Sequence, residues 1–373
     1  MILFLHNRYR TTGGEERVVD DLLWLVREQL GEEAELLQRD SAVLGRARAA
    51  AALLGGGLRP DDVAAAVRRT RARVVHAHNL LPSLGWRALA AARETGARVV
   101  VHLHNYRLVC AVGTCFTRGE DCTRCHGRNT APGVRLNCRG TGAEAVVYGA
   151  ALAAWQRRIT GHADAIVVPS RFALERLQQL GAPLTAPVHV VAHPVREIAA
   201  EPRFTPGGPA LVASRLAPEK GVDVAIEACR RAGVPLVVAG DGPERPGLEA
   251  RAAGADVRFV GSVGPTELAE LRARARVALV PTRAAETFGL AAAEAMAAGV
   301  PVLASRAGAL GELLGDDRLV PPGDASALAA ALGRSDDDAR AAAEAALDAV
   351  RERCAPPAVA ERLNTVYRDA GLV

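Results

Sequence analysis

The fold of this chain is indicated most directly by residues 281–301, PTRAAETFGLAAAEAMAAGVP. It follows the apolar run 277–280, passes through a polar loop that holds Glu286, and continues as an alanine-rich helix through Glu294 to Gly299, where a helix is expected to stop. A strand, a loop and a helix in this order direct the free N–H groups of the helix toward the carboxyl end of the strand, and such groups bind anions. The stretch therefore predicts an anion site in an α/β fold.

Two carboxylates flank this anion site, Glu286 before the helix and Glu294 inside it. Carboxylates do not bind phosphate, so they need another partner, and the sugar hydroxyls on either side of a diphosphate meet that need. The alternative is that Glu286 only favours the helix dipole and that Glu294 is solvated, as most charged side chains are.

Size and composition bound the class of protein. At 373 residues the chain is too long for one typical core and suits two domains. It is globular, with 49% hydrophobic residues, and its net charge of +4 is spread along the chain, which does not indicate nucleic acid as a partner. No apolar run is long enough to span a membrane, and the start MILFLHNRYR lacks the basic region of a secretion signal. We expect a cytoplasmic protein, with peripheral association at the inner face of the membrane left open and the oligomeric state not indicated.

The chain contains a single lysine, Lys220, among its 46 basic residues. A codon bias toward arginine and alanine explains the general preference for arginine. The one position that remains lysine is a candidate for a role that needs a compact, flexible ammonium group instead of a planar guanidinium, although chance survival is the alternative.

Short apolar runs alternate with amphipathic helices along the chain, which is typical of parallel sheets covered on both faces. The predicted strands are residues 2–6, 34–38, 74–78, 98–102, 165–169, 188–191, 210–214, 235–239, 257–260, 277–280 and 302–304. The predicted helices are residues 15–30, 61–70, 83–95, 143–160, 170–180, 222–231, 243–253, 265–274 and 290–298, and the tail from 324 is helical with a break at 354–357. The low-complexity segment 42–57 receives no assignment.

A proline-rich segment without periodicity divides the alternating pattern into two halves. We predict a Rossmann-like N-terminal domain (1–196) with a cysteine-rich insert at about 107–142, a linker (197–209), a Rossmann-like C-terminal domain (210–354), and a C-terminal helix (355–373) that is a candidate for packing back on the N-terminal domain. The fold class is α/β, with two doubly wound parallel sheets facing a cleft at the carboxyl ends of their strands, where ligands bind in open sheets.

The loops that follow strands in the second half suit a nucleoside diphosphate. Two cations and a helix N-terminus suit the phosphates, a carboxylate suits ribose, and bare backbone suits a flat base. The candidate binding residues are Arg215, Lys220, Gly240, Gly242, Gly261, Ser262, Val263, Glu286, Thr287, Phe288, Gly289, Leu290 and Glu294. No G-x-x-x-x-G-K-[ST] loop and no G-x-G-x-x-G after a strand is present. The acidic run 336–338, which could hold Mg²⁺, is interpreted as helix capping after Ser335.

Several motifs together resemble glycosyltransferase family 4, whose members are retaining, nucleotide-sugar-dependent enzymes of the two-domain GT-B fold. In the second half these are SRLAPEKG, VVAGDGPE, VRFVGSVG and the E-x₇-E spacing of Glu286 and Glu294. In the first half they are HNRYRTTGGEERVV, VVHAHNLLP, HLHNYRLVC and AIVVPSRFALERL. The similarity covers nearly the whole chain in the order that the family has.

The resemblance implies a role for each candidate residue. Arg215 and Lys220 would hold the donor diphosphate, Glu294 would bind ribose, and Glu286 would face the transferred sugar. The amides of residues 288–290 would contact sugar and phosphate. Gly13 and Gly14 would let a backbone N–H approach the diphosphate, although an ordinary glycine pair between strand and helix is the alternative. His104, near His78 and His102, matches the histidine at the reacting centre, but His102 stands where the family usually has threonine.

The implied reaction is transfer of a sugar from a UDP- or GDP-type donor to a hydroxyl or similar acceptor, a natural product or a cell-surface glycan, with retained configuration and without a catalytic metal. No second acidic residue is clearly placed opposite Glu286, so we favour front-face attack, with the departing phosphate taking the acceptor's proton. The alternatives are a nucleotide-sugar epimerase of the same fold and a GT-B module that binds nucleotide or glycan without turnover.

Five of the seven cysteines lie between residues 110 and 138. Cys110, Cys122, Cys125 and Cys138 could form a structural tetrahedral Zn²⁺ site, with Cys115 and His126 as substitute ligands. A cytoplasmic location favours metal over disulfides, and free thiols are the third alternative. Cys229 and Cys354 stand alone, and we expect them to be buried.

Overall fold

The computed structural model describes residues 1–9 and 13–371, which form two compact units. The N-terminal unit comprises Met1–Thr117, Cys122–Pro194 and Pro356–Val373, and the C-terminal unit comprises Arg118–Asp121 and Val195–Ala355. The strands are β1 (Ile2–Arg8), β2 (Ala34–Asp40), β3 (Val74–Ala77), β4 (Arg98–His102), β5 (Phe116–Thr117), β6 (Glu120–Asp121), β7 (Ala165–Val168), β8 (Val188–Val190), β9 (Ala210–Ala213), β10 (Leu236–Ala239), β11 (Val257–Gly261), β12 (Val277–Val280), β13 (Val302–Ser305) and β14 (Leu319–Val320).

The helices alternate with these strands. They are α1 (Gly14–Gln29), α2 (Arg46–Gly55), α3 (Pro60–Thr70), α4 (Gly85–Glu94), α5 (Ala131–Arg135), α6 (Gly142–Gly161), α7 (Arg171–Gln179), α8 (Val222–Ala232), α9 (Arg245–Arg251), α10 (Pro265–Arg274), α11 (Leu290–Ala297), α12 (Leu310–Leu313), α13 (Ala325–Leu332), α14 (Asp336–Cys354) and α15 (Pro356–Asp369). Two short 3₁₀ turns occupy Pro218–Lys220 and Asp316–Arg318.

The N-terminal unit is built on a six-stranded parallel sheet in the order β2-β1-β3-β4-β7-β8. Its strands are rich in Val, Ile and Leu, which suit the extended backbone of a sheet covered on both faces. In the first strand Ile2 lies opposite Ala34 on one side and Val74 on the other, and its side chain is fully buried. The chain order changes direction at β1, so the carboxyl ends of β1 and β3 flank the position where such sheets bind ligands.

The C-terminal unit repeats this architecture with the strand order β11-β10-β9-β12-β13-β14, again all parallel. Val212 and Val238 from the central strands pack with Ile226 of α8 and Leu328 of α13 in one buried cluster. The order of the strands reverses between β9 and β12, which is the Rossmann arrangement. The prediction of two doubly wound parallel sheets is therefore confirmed.

The predicted strands and helices are observed, with bounds that agree to within two residues at each end, whereas β5, β6, α5 and α12 were not predicted. Segment 42–57, which received no assignment, contains α2, and this helix ends at Gly56 with a left-handed φ of 74°. The edge strand β14 was missed because two residues are too few to show a pattern. The capping interpretation of residues 336–338 is confirmed, since the Ser335 hydroxyl accepts a hydrogen bond of 3.2 Å from the N–H of Asp338 at the start of α14.

The last helix, α15, belongs to the N-terminal unit and packs there on α1 and β7. Its apolar face buries Val359, Leu363 and Val366. The buried Tyr367 hydroxyl lies 2.9 Å from Nδ1 of His76 in β3. Because α14 and α15 are separated only by the break at Ala355, the chain passes from one unit to the other at that residue.

Two glycines let the loops after β9 and β10 approach each other closely. Gly240 has a left-handed φ of 134°, and a Cβ there would overlap the carbonyl oxygen of Ser214. A Cβ on Gly242 would overlap the carbonyl oxygen of Leu216. The packing of the chain on itself therefore requires these two glycines, whatever they contribute to a ligand.

We predict that Gly240→Ala lowers the free energy of unfolding by about 3 kcal/mol, because it combines a strained φ with a backbone overlap. The matched control is Gly247→Ala in α9, where a Cβ would meet nothing within 4 Å. This control should be neutral or stabilising by about 0.5–1 kcal/mol, as alanine is in a helix. Urea denaturation measures both, and equal stabilities of the two variants would contradict the prediction.

Candidate active site

The loops after β9 and β12 of the C-terminal unit are joined by hydrogen bonds. The carbonyl oxygen of Glu219 accepts from the Thr282 hydroxyl at 3.0 Å and from the N–H of Arg283 at 2.8 Å. Gly221 lies so close to the carbonyl of Pro281 that it has no space for a Cβ, and its φ of 63° is left-handed. These contacts fix the loop that carries Arg215 and Lys220 against the loop that carries Glu286.

An ion pair reinforces the same junction. The Arg283 guanidinium donates two hydrogen bonds of 2.8 Å, one to each carboxylate oxygen of Asp223 in α8. Such bidentate pairs between arginine and a carboxylate have a defined geometry, which a flexible lysine does not provide. The sequence analysis did not select Arg283 or Asp223, because each reads locally as a surface charge.

The junction brings Lys220 and Glu286 together. The Lys220 ammonium lies 2.6 Å from Glu286 Oε1, and the two side chains are 30% and 18% exposed. Arg215 is more exposed and pairs with the carboxylate of Glu219. The two predicted cations therefore belong to one short loop at the reversal of the strand order, and both meet carboxylates in the described chain.

Glu286 is held from the other side by the loop after β13. Its carbonyl oxygen accepts a hydrogen bond of 2.9 Å from the N–H of Ala309, and its backbone forms a parallel bridge with Gly308. Gly308 has a φ of 65° and no space for a Cβ against the Glu286 backbone. The position of the Glu286 backbone is therefore fixed by β9, β12 and β13 together.

Helix α11 begins directly after this loop. Gly289 is its N-cap residue, with a left-handed φ of 94° and no side chain that could cap the helix. A Cβ on Gly289 would lie 2.6 Å from Cδ2 of Leu310, so the tight turn requires glycine. Phe288 is buried, whereas Thr287 and Leu290 are half-buried. The N-cap residue of α11 thus offers no oxygen to the first N–H groups of the helix, and such groups can bind an anion.

Glu294 is not a solvated surface residue. Its carboxylate accepts a hydrogen bond of 2.6 Å from Arg272 of α10, and both side chains are only 11% exposed. The alternative that Glu294 is merely solvated is therefore wrong. Arg272 was missed because a basic residue near the end of an amphipathic helix is typical of an exposed face.

The remaining predicted binding residues of this unit lie at the ends of β10 and β11. The N–H of Gly240 donates a hydrogen bond of 2.6 Å to the carbonyl of Gly261. Gly261 has a left-handed φ of 75°, and a Cβ there would meet only Nη1 of Arg245 at 3.5 Å. Ser262 is exposed and Val263 is half-buried. This edge is open, in contrast to the packed backbone around Gly242.

The N-terminal unit contains a cluster of histidines at the carboxyl ends of its strands. As predicted, His78, His102 and His104 come together: His78 Nδ1 lies 2.8 Å from His104 Nε2, and the rings of His102 and His104 stack with centroids 4.1 Å apart. The sequence analysis missed the other members of this buried group, which are His6, His76 and His193. His6 lies in β1 and His193 follows β8, and no local spacing connects either to the others. His76 lies in β3 two residues before His78, and this strand period could have indicated it.

Burial holds five imidazoles in the neutral form, those of His76, His78, His102, His104 and His193. It lowers the pKa of His76 and of His193 to about 3. It also lowers the pKa values of His78, His102 and His104 well below 6.5, and the neighbouring imidazoles add to that shift. At neutral pH His104 therefore acts as a hydrogen-bonding group and not as a cation.

A second polar group follows His104. The Tyr9 hydroxyl donates a hydrogen bond of 2.9 Å to Glu15 Oε2, and the Asn105 amide donates to both residues at 3.1 Å. Arg107 lies over the Tyr9 ring at 4.8 Å from its centroid. Burial raises the pKa of Glu15 above its usual value. These residues offer polar contacts beside His104 that motif spacing did not indicate.

Gly13 and Gly14 lie at the start of α1, and both are exposed. The N–H of Gly13 donates a hydrogen bond of 2.8 Å to the Glu16 carboxylate, which also accepts from the N–H of Tyr9 at 3.0 Å. The predicted approach of a diphosphate to this turn would have to displace Glu16. The intervening residues 10–12 lie outside the described part of the chain.

The predicted cysteine residues also come together. Cys110, Cys115, Cys122, Cys125 and Cys138 all line one cavity in the N-terminal unit. None of the seven cysteines, all of which are described, is in a disulfide, so that alternative is not realised. A hydrogen bond from the Cys115 thiol, together with backbone amides, lowers the pKa of Cys110 to about 6, whereas burial raises the pKa of Cys125 to about 11. Cys229 and Cys354 are buried, as predicted.

Comparison with known proteins identifies the family. The chain matches the family model "Glycosyl transferase 4-like domain" over residues 9–194 and "Glycosyl transferases group 1" over residues 209–338. The GDP-mannose-dependent alpha-(1-6)-phosphatidylinositol dimannoside mannosyltransferase of Mycobacterium tuberculosis is 38% identical over 174 residues, which are 43% of this chain and 45% of that protein. The glycogen synthase of the same species is 41% identical over 160 residues, covering 39% and 38% of the two chains. The matches thus span less than half the length of these curated relatives.

The structural comparison shows the fold. The sucrose-phosphate synthase of Thermosynechococcus elongatus superimposes with a TM-score of 0.72 and 18% identity, over 98% of each chain. The architecture is therefore the GT-B fold of two Rossmann-like units. The chain belongs to glycosyltransferase family 4. No helix within residues 1–9 and 13–371 is both long and apolar enough to cross a membrane.

We predict that the buried histidines make the protein sensitive to acid. Their native pKa values lie below 6.5, so the unfolded chain takes up protons first and stability is lost as the pH falls from 6.5 toward 3. Each histidine with a native pKa near 3 should cost on the order of 2 kcal/mol between pH 6.5 and 5. Urea midpoints measured over this range should fall steeply.

The variant His76→Gln tests the origin of this sensitivity. The slope of the free energy of unfolding with pH reflects how many more protons the unfolded chain binds than the folded protein. His76→Gln should lower this difference by roughly one proton in that range, because it removes one imidazole that is protonated only in the unfolded chain. His126→Gln, outside the cluster, should leave the slope unchanged. A flat pH profile of the wild-type protein would show that the cluster does not have depressed pKa values.

Proposed function

We propose that this protein is a retaining glycosyltransferase that transfers a sugar from a nucleoside-diphosphate sugar to a hydroxyl of a small-molecule or glycan acceptor. The observation that supports the donor class most directly is the contact of Lys220 with Glu286 at the reversal of the strand order, just before the start of α11. One ammonium, one carboxylate and the N–H groups of a helix start lie in this segment. The ammonium and the N–H groups suit the two phosphates of the donor, and the carboxylate suits a sugar hydroxyl.

Donor binding in this proposal is an exchange of partners. Without a ligand, the Lys220 ammonium is neutralised by Glu286, which limits the cost of holding a partly buried charge. A diphosphate would take over the ammonium and the N–H groups of Gly289 and Leu290. Glu286 would then be released to accept hydrogen bonds from the sugar. Arg215, which is more exposed, would add its positive charge at the outer phosphate.

The chemical step follows from the same groups. As the bond between sugar and phosphate breaks, negative charge develops on the leaving diphosphate, and Lys220, Arg215 and the α11 terminus stabilise it. The acceptor hydroxyl attacks from the face of the leaving group, and the departing phosphate takes its proton, so the configuration is retained. His104, neutral at pH 7, would orient the acceptor or the sugar by a hydrogen bond, and no step requires a metal.

In this proposal Glu294 would bind the ribose of the donor. Its present partner Arg272 is equally buried, so the carboxylate is fixed in place and keeps acceptor capacity for two ribose hydroxyls. Gly261 and Ser262 would lie along the base, where the backbone is open. The donor to test first is GDP-mannose, because a matched relative is named for it, with UDP-glucose as the comparison.

We predict that Lys220→Ala lowers turnover about 100- to 1,000-fold, as expected when one group that stabilises the leaving charge is removed. It should also weaken the binding of the free nucleoside diphosphate in calorimetry. The matched control is Arg274→Ala, which removes an exposed charge from α10 of the same unit and should change neither quantity. Near-normal turnover of Lys220→Ala would refute the assignment.

Glu286→Gln separates the two roles at this contact. Turnover should fall, because the sugar loses its carboxylate, whereas the affinity for the free nucleoside diphosphate should be kept or increased, because Lys220 loses its competing partner. Glu270→Gln on the exposed face of α10 is the control. A parallel loss of diphosphate affinity in Glu286→Gln would contradict the exchange of partners.

The reaction type is tested by the product. NMR of the reaction with GDP-mannose or UDP-glucose and an acceptor should show a new glycosidic bond with the anomeric configuration of the donor. Donor cleavage at the same rate without any acceptor would favour the epimerase class instead. Binding of the nucleotide without turnover of any donor would favour a binding module.

A further inference from the structure

The cysteine-rich segment of the N-terminal unit has a feature that the transfer reaction does not use. Five sulfur-bearing side chains from a stretch of fewer than thirty residues line one small cavity of about 20 Å³. Apolar side chains complete its wall, among them Leu136 and Leu180. A cavity lined by thiols and apolar groups offers soft ligands in a dry setting, which suits Zn²⁺.

We propose that Cys110, Cys122, Cys125 and Cys138 bind one structural Zn²⁺ ion in a closed tetrahedral thiolate site. The site is independent of the proposed transferase activity, because it requires neither the donor nor any residue of the C-terminal Rossmann sheet. Its role would be to stabilise the irregular segment between β4 and α6, which contains only the short elements β5, β6 and α5.

The backbone after Cys110 turns tightly. Gly113 has a φ of 87° and Cys115 has a φ of 49°. A non-glycine residue with a positive φ is strained, so the turn that brings Cys115 to the same cavity as Cys110 has a conformational cost.

Cys125 lies against the backbone of α5. A Cβ on Gly133 would lie 3.4 Å from the Cys125 sulfur, so the helix packs its backbone against the thiol. Cys110, Cys122 and Cys138 line the same cavity as this sulfur. Four neighbouring thiolates repel one another, so they can ionise together only with a cation between them.

The fifth cysteine and the nearby histidine have other roles. Cys115 is buried, and its thiol donates to the Cys110 sulfur, which makes it a partner of a ligand and not a ligand itself. The His126 ring packs on Gly181, where a Cβ would lie 2.5 Å from Cε1, and it does not line the cavity. The structure therefore favours the four-cysteine set over the substitutions by Cys115 or His126.

Zinc binding must contract the cavity. Among the described residues, the groups of three whose ligand atoms all lie within 4.8 Å are His76, His78 and His102, and His102, His104 and His193, and the cysteines do not meet that criterion. Zn–S bonds of about 2.3 Å place tetrahedral sulfurs about 3.8 Å apart. The four cysteine side chains would therefore move closer together when the ion binds.

The two histidine trios are the competing metal site. Their imidazoles are neutral and buried, and three histidines are a known ligand set for Zn²⁺, so these trios are the alternative that the test must exclude. The experiment must therefore separate sulfur from nitrogen ligands. Variants at both sites, together with a spectroscopic probe that responds to sulfur, make this separation.

The test uses the full chain purified under reducing conditions. Elemental analysis should find one equivalent of zinc per chain, and replacement by Co²⁺ should give the sulfur-to-metal charge-transfer bands and d–d bands of a tetrahedral thiolate complex. Zinc should protect four thiols from a thiol reagent, a measurement on the wild-type protein that does not depend on how a variant folds.

The variants assign the ligands. Cys125→Ser and Cys138→Ser should lose the zinc, whereas Cys229→Ala and Cys354→Ala remove buried thiols elsewhere and should keep it. Cys115→Ala should retain one zinc with an affinity lowered by about 10- to 100-fold, as for loss of a hydrogen bond to a ligand.

Three results would overturn the proposal. The first is a chain that takes up no stoichiometric zinc or cobalt when it is titrated under reducing conditions. The second is a metal that is lost in His102→Gln but retained in Cys125→Ser. The third is a disulfide among these cysteines in the protein as isolated from the cytoplasm.

Discussion

The candidate active site depends on one backbone group, the carbonyl oxygen of Glu219. It lies on the turn after β9 and accepts hydrogen bonds from Thr282 and Arg283 on the loop after β12. The order of the strands reverses between β9 and β12, which is where an open α/β sheet binds its ligand. The contact joins the two loops at this point and so holds the ammonium of Lys220 beside the carboxylate of Glu286.

The charges around this position are balanced inside the C-terminal unit. Four basic residues around this position meet carboxylates, in the pairs Lys220–Glu286, Arg215–Glu219, Arg283–Asp223 and Arg272–Glu294. The pairs differ in accessibility, and this difference suggests different roles. Arg272–Glu294 is largely buried and rigid, whereas Lys220–Glu286 remains partly exposed and can exchange its partners for a ligand.

The N-terminal unit accommodates polar groups in two other ways. His78, His102 and His104 are buried as neutral imidazoles whose rings stack. Five cysteines line one cavity. We expect the first arrangement to make the unit sensitive to acid, and the second places soft ligands together for the proposed metal ion.

The sequence by itself determined the fold class, the boundaries of most elements and the residues that end each strand. The reason is that these signals are local: the periodic burial of Val, Ile and Leu, and the glycine and proline residues at the ends of elements. A run such as 277–280 can therefore be predicted as a strand from its own residues. The clustering of five cysteines and the convergence of His78, His102 and His104 were also predictable, because neighbouring parallel strands end at the same edge.

The partners of individual side chains depend on the tertiary structure. Arg272, Arg283, Asp223, His6 and His193 carry no local sign of their roles, because each contacts residues that are distant in sequence. The same holds for Gly240 and Gly242, whose glycine requirement arises from the neighbouring carbonyls of Ser214 and Leu216. Side-chain pairing depends on register and on loop contacts between strands, and these are properties of the packed sheet that no single segment contains.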